Sequence, residues 1–283
     1  MKMLCDFDSE DFWKTVTQSP GFAFARQSPL PSWCPDWYAP KVSQSFVGDH
    51  RAGFPDAKDI DPKLSIPAQS DWLFVAGFTI DTVRSSTEPH PLMITDSFHT
   101  EEHRTKSWSW LQECCPIAGD VLPRPEDAIK AMYQTLVVAT GKLTVAECKG
   151  RAFMANFCSL HAWSSGVPFT DVEIPPIKLF NIELFAQAHG RRFFNTAGGR
   201  VGPGPPDMEA GDQIVVFKGA KVLFVLRRID RSSKNDLPRL QVTDLGEEDD
   251  KFELIGDAYV HGLMQGEAFT AEDRGPDTAF VLV

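Results

Sequence analysis

Apolar and polar positions alternate in short runs through the last third of the chain, from Gly190 to Phe269. Arg192 to Thr196, Gln213 to Phe217, Val222 to Arg228 and Phe252 to Val260 read as strands bounded by Gly/Pro turns. Lys218-Gly219-Ala220-Lys221 fits a hairpin turn between the second and third of these. Earlier in the chain, WLFVAGFTIDTV at 72–83 predicts a strand with a glycine bulge at Gly77. Strands 72–80 and 252–260 share one order, an apolar run, a glycine, then an acid, which suggests similar places in one sheet. Short twisted strands with glycine bulges predict a small closed or nearly closed antiparallel barrel.

The helical period shows elsewhere. SEDFWKTVTQ at 9–18 reads as a short helix, with Ser9 as N-cap and Phe12, Trp13 and Val16 on one face. From Pro20 to Pro67 the chain is rich in Pro, Ser, Gly and Asp and predicts an irregular wrap over the core. Residues 88–107 are polar and loop-like, and Trp108 to Cys115 fits a short helix. Pro125-Glu126-Asp127 starts the clearest helix, which runs to about Ala139 with a stripe of Ile129, Met132, Tyr133 and Leu136. Gly141 ends it, and 145–165 and 178–188 predict further helices around the Pro175-Pro176 break. The expected class is α+β: a small antiparallel β-barrel or strongly twisted sheet, flanked by several helices, with a Pro-rich N-terminal wrap. Residues 1–283 are expected to form a single domain. Its sub-regions are 1–70 (helix and wrap), 71–189 (strand plus helical layer) and 190–283 (barrel unit).

Composition narrows the partners. The chain of 283 residues is 42% apolar and 24% charged, ordinary for a globular protein. It holds 21 Phe and 7 Trp against 3 Tyr, side chains that fill cores and also line pockets for apolar ligands. The net charge is −11 with no Lys/Arg block, which argues against nucleic acid or an anionic membrane surface. Glu247 to Asp250 reads as a solvated acidic loop. No apolar run reaches the length of a membrane span. The 6 cysteines form no CxxC pair, and the N-terminus carries acids where a signal peptide needs an apolar run. A cytoplasmic protein with reduced thiols is expected.

Few motifs carry chemistry. His99-Thr100-Glu101-Glu102-His103 matches a metal-helix string, but its surroundings are polar all round, which fits a solvated loop or short surface helix better. The glycines of 198–204 are followed by Pro205-Pro206 instead of a helix, so a strand-to-strand turn is favoured over a phosphate loop. No metal and no cofactor are expected. Two clusters remain. Trp33, Asp36 and Trp37 place two indoles beside a carboxylate, as a planar-ligand clamp with an acid or base, or as a structural clamp. Asp257, His261 and Glu267 form the second; on one strand, 257 and 261 share a face, so Asp257 would orient a proton-shuttling His261. The competing role for His261 is a turn hydrogen bond. Arg191 and Arg192 fit a carboxylate or enolate, or a strand edge where they snorkel.

Three stretches carry a family resemblance: LPSWCPDW at 30–37, RRFFNTAGGRVGPGPPDMEAGDQIVVFKGAKVLFVLRR at 191–228 and FELIGDAYVHGLMQGEAF at 252–269. In order and spacing the chain resembles the region that follows the effector domain in fungal heterokaryon-incompatibility (HET) proteins. It departs from the family's pattern at Cys34, where an aliphatic residue is usual, and at Asp257-Ala258, where Glu-Cys is usual. The chain starts roughly where the family's effector domain and linker would have ended, so a scaffold without that domain's cell-death activity is expected.

Two functions follow as expectations. One is a cofactor-independent enzyme of fungal secondary metabolism, cyclising, isomerising or running a pericyclic step on an apolar small molecule. Its catalytic groups would be Asp257, His261 and Asp36, with Trp33, Trp37, Arg191, Arg192 and Glu267 binding substrate. The other is a non-catalytic recognition or regulatory module of the incompatibility system, binding a HET-family protein or a second copy of itself.

Overall fold

The computed structural model describes residues 30–34, 36, 43, 46, 50–55, 64–66, 71–91, 101–121, 131–132, 135–136, 188–229 and 250–283. Among them one 8-stranded sheet dominates. Its strands are β1 (Leu64–Ser65), β2 (Leu73–Ser86), β3 (Arg192–Thr196), β4 (Val201–Gly204), β5 (Gln213–Phe217), β6 (Leu223–Arg228), β7 (Lys251–Ala258) and β8 (Thr278–Leu282). A helix, α1 (Glu101–Gly119), stands between β2 and β3 in chain order.

The sheet curls into a ring because β2 is long enough to be shared. Leu73–Gly77 pairs with β8, Gly77–Thr82 with β5, and Val83–Ser86 with β3. From β5 the path runs through β6 and β7 to β8 and so back to β2. Five strands cannot alternate direction all the way round a ring, so one neighbouring pair must be parallel. That pair is β7–β8, joined at Lys251–Val281 and Phe252–Leu282. The expected all-antiparallel barrel is therefore corrected at this seam.

The seam is bridged by the wrap. Ser32 donates its N–H to the carbonyl of Val283 (2.7 Å), and its hydroxyl accepts the N–H of Leu254 (2.9 Å). Trp33 drops into the core beside it, 2% exposed, with its indole N–H on the carbonyl of Asp71 at 3.0 Å. Further along, Gly53 lies on the β5–β6 hairpin: its N–H bonds Ala220 (2.8 Å) and its carbonyl accepts Gly219 (2.9 Å). A Cβ at Gly53 would collide with the carbonyl oxygens of Phe217 and Ala220, so only glycine fits that approach.

The phenylalanine excess goes into the core. Phe217 stacks against Phe224 (5.0 Å) and Phe280 (5.8 Å), and Phe280 meets Phe252 (5.4 Å). Each fully buried ring of this kind contributes about 1.5–3 kcal/mol. On β3 successive side chains point to opposite faces. Phe194 joins the barrel core, while Phe193 and Asn195 face the other way, where Asn195 donates its amide to the carbonyl of Ile117 on α1 (2.8 Å).

The outcome for the expected elements is mixed. Strands over 72–83, 192–196, 213–217, 222–228 and 252–260 are present, with β7 ending at Ala258. β1, β4 and β8 were not expected. α1 begins inside the polar segment 88–107 that reads as a loop. The helix expected over 9–18, that over 145–165, and most of those over 125–139 and 178–188 lie outside the described residues, as do 37–42; residues 131–132 and 135–136 are helical. Gly77 is not a bulge. The pairing stays in register across it, and the irregularities fall at Thr79/Asp81 and Val83/Ser85. Glycine is needed at 77 because a Cβ there would strike the carbonyl oxygen of Val216. Gly77→Ala is expected to lower the unfolding free energy by about 2–3 kcal/mol in a denaturant titration, with an unchanged m-value.

Candidate functional site

Arg191 enters β3 from the turn Ala188–Gly190, where Gly190 has φ 67°. Its backbone is fixed on both sides: its N–H bonds Ala188 (2.8 Å) and its carbonyl accepts His90 (2.8 Å). Its side chain meets Asp257 near the end of β7. Arg191 Nη2 lies 2.8 Å from Asp257 Oδ1, and Nη1 donates to the Asp257 carbonyl at 3.0 Å. The two side chains are 1% and 3% exposed. The other carboxylate oxygen, Oδ2, accepts the N–H of Phe46 at 3.4 Å, and the Phe46 ring covers the guanidinium at 3.8 Å. Phe46 in turn packs on Tyr259 (6.0 Å), which also meets His50 edge-on (5.8 Å).

The structure thus brings together two predicted residues in a pairing that the sequence reading did not make. By sequence spacing Asp257 pairs with His261 as two residues of one strand face. β7 stops at Ala258, and His261 lies beyond it in the turn that leads to Gly262 (φ 82°). The expected Asp257–His261 geometry is therefore corrected: the carboxylate is held by Arg191 and the Phe46 N–H.

His261 is half-buried, and its backbone N–H donates to the carbonyl of Val201 on β4 at 3.1 Å. Its Nδ1 is buried with no hydrogen-bond partner. Burial pushes the imidazole pKa below its ordinary 6.5, and the Glu267 carboxylate acts in the opposite sense. Glu267 itself is exposed at the start of a 3-10 helix (Glu267–Thr270), where it accepts the N–H of Gln265 at 2.6 Å.

The remaining predicted residues are placed as follows. Trp33 is a core residue of the barrel, Asp36 is half-buried beyond it, and Trp37 lies outside the described residues. Arg192 clamps a strand edge: it donates to the carbonyls of Thr87 (2.8 Å) and Pro206 and approaches Glu88 (3.7 Å). Of the metal-like string, His99 lies outside the described residues and 101–103 open α1. Among the described residues no group of three or more His, Cys, Asp or Glu is arranged to hold a metal ion, and no helix is long and apolar enough to cross a membrane. Burial pushes the Cys114 thiol well up, against nucleophilic use.

Sequence reasoning missed two polar centres. Asp81 accepts from Thr82 N–H, Gly198 N–H, Thr196 hydroxyl and Arg200, at 2.7–3.0 Å. It thereby fastens the β3–β4 turn to β2. Asp212 accepts Arg227 bidentately, 2.9 Å to each oxygen, and anchors the loop before β5. The only signals were an acid inside an otherwise apolar strand for Asp81 and an acid after a glycine at the entry of a strand for Asp212.

Comparison with known proteins agrees with this barrel. Residues 179–283 match the family model of the Het-6 beta-barrel domain. Heterokaryon incompatibility protein 6, OR allele, of Neurospora crassa is 34% identical over 84 residues. That match covers 29% of this chain and 10% of the relative. No solved structure matches the chain.

Removing one partner of a buried ion pair leaves the other charge desolvated. Arg191→Met or Asp257→Leu alone is expected to cost about 3–5 kcal/mol of stability. The pair Arg191→Met/Asp257→Leu, which leaves no charge behind, is expected to cost less than either single change in a double-mutant denaturation cycle.

Proposed function

We propose, on the premise that residues 179–283 are a HET-family C-terminal region carrying a Het-6 beta-barrel domain, that this chain is a non-catalytic recognition module of the incompatibility system. Its partner is a HET-family protein. One observation carries this reading: the ionisable pair most suited to chemistry, Arg191 and Asp257, is 1% and 3% exposed and engaged in the scaffold. A cofactor-free cyclase or isomerase needs an acid or base that reaches a substrate. Asp257 already holds Arg191 and the Phe46 N–H.

The surface supports a polar mode of recognition. Among the described residues the exposed large hydrophobic is Leu30 alone. Ion pairs such as Lys218–Asp277 (2.7 Å), Arg200–Asp273 (2.7 Å) and Arg228–Asp250 (2.6 Å) decorate the barrel instead. With a net charge of −11, the chain is suited to a partner face rich in Lys and Arg, which speeds encounter and makes binding sensitive to salt.

The test is isothermal titration of the purified chain against a full-length HET-family protein from the same organism. Saturable binding at micromolar or tighter Kd, weakening as salt rises, is expected. Absence of binding with both proteins at about 100 μM overturns the proposal. So does turnover of an apolar substrate that His261→Ala abolishes while the fold survives.

A further inference from the structure

We propose that His261 is an acid-released latch holding the β3–β4 hairpin to the barrel. The hairpin is paired to β2 along one side, through Val83, Ser85 and Ser86. On the other side it is fastened to the chain leaving β7 by two backbone bonds. Tyr259 N–H donates to Pro203 and His261 N–H to Val201, each at 3.1 Å. The approach is close, since a Cβ on Gly202 would strike the Tyr259 carbonyl. Behind this fastening sit Phe194 and Met208, both in the barrel core.

The His261 ring stands at the end of that fastening with Nδ1 buried and lacking a hydrogen-bond partner. A neutral imidazole protonated on Nε2 tolerates such a site, because the bare nitrogen is only an acceptor. A second proton puts a charge and an N–H donor into buried surroundings without an acceptor.

The ionisable groups around it do not remedy this. β4 reads Val-Gly-Pro-Gly and has none. On β7, Asp257 is bound to Arg191. His50 lies against the Tyr259 ring. Among the described residues, Glu267 of the 3-10 helix supplies an opposing charge, and burial outweighs it. The fastened state therefore has a lower imidazole pKa than the open one. Its extra stability is complete above 6.5 and is lost as pH falls through 6.5 toward the fastened-state value. Opening gains about tenfold for each pH unit that separates the two pKa values.

The experiment is NMR hydrogen exchange, corrected for intrinsic rates, between about pH 7.5 and pH 5. Tyr259 and His261 amides should lose protection on acidification, while Val215 and Phe224 in the core stay protected. His261→Gln, which does not titrate, should flatten that response. Glu267→Gln, a surface change, should move the His261 side-chain titration to lower pH. The proposal fails if His261 titrates at or above 6.5 in the folded protein. It fails equally if the two amides do not respond to acid, or if they respond alike in His261→Gln and the wild type, or if the His261 side-chain titration does not move in Glu267→Gln.

Discussion

A guanidinium and a carboxylate stripped of water, 2.8 Å apart, form the constraint on which the rest of this structure leans. Each ion loses several kcal/mol of hydration when buried, so the pair stands only if its geometry and its other hydrogen bonds are satisfied. The protein meets that demand with parts drawn from far apart. Asp257 comes from β7, Arg191 from the entry of β3, and Phe46 from the wrap, which supplies both a ring face and an N–H. The Arg191 backbone carries the 87–90 segment through His90, whose ring meets Trp110 of α1 at 4.9 Å. Charge burial here specifies position: a displaced wrap or a shifted β3 leaves a bare ion inside the protein.

The barrel itself depends on length and parity. A single 14-residue strand, β2, pairs with β8, β5 and β3 in succession and also takes the short β1 at Phe74–Val75, and two register irregularities let it bend along the way. An odd ring forces one parallel seam, and parallel pairing over two residue pairs is meagre. Ser32 supplements it with two hydrogen bonds and Trp33 with its buried indole. The LPSWCPDW stretch is thus explained, where described, as a seam closure, and its aromatic character by the core it enters.

How much of this was legible in the sequence depends on the kind of signal. Strands such as Gln213–Phe217 and Leu223–Arg228 announce themselves, since β-branched and aromatic runs stand between Gly/Pro turns. β4 does not, because Val-Gly-Pro-Gly has the composition of a turn and becomes a strand only by pairing with β3. β8 is a short apolar run behind a polar, Pro-containing stretch, and nothing local says that it closes a ring. The first half of α1 has helix-forming residues without an apolar stripe, so its period is silent. The site was half legible. Arg191 and Asp257 stood out as candidates, yet their union across 66 residues belongs to tertiary structure. Sequence spacing offered Asp257 a nearer partner in His261, and that choice failed because the strand ends at Ala258.

The pairing of Leu73 with Leu282 also sets a schedule for synthesis. Ring closure joins positions separated by most of the chain, the kind of contact that makes folding slow. While the nascent chain grows, the β2 edge that will receive β8 has no strand to pair with, although β5 and β6 can already dock on its other side. An unpaired edge bearing Leu73 and Val75 is a template for association with other chains. For this fold the hazardous interval is therefore the time between the emergence of β2 and that of β8, a hazard of timing that the finished barrel no longer displays.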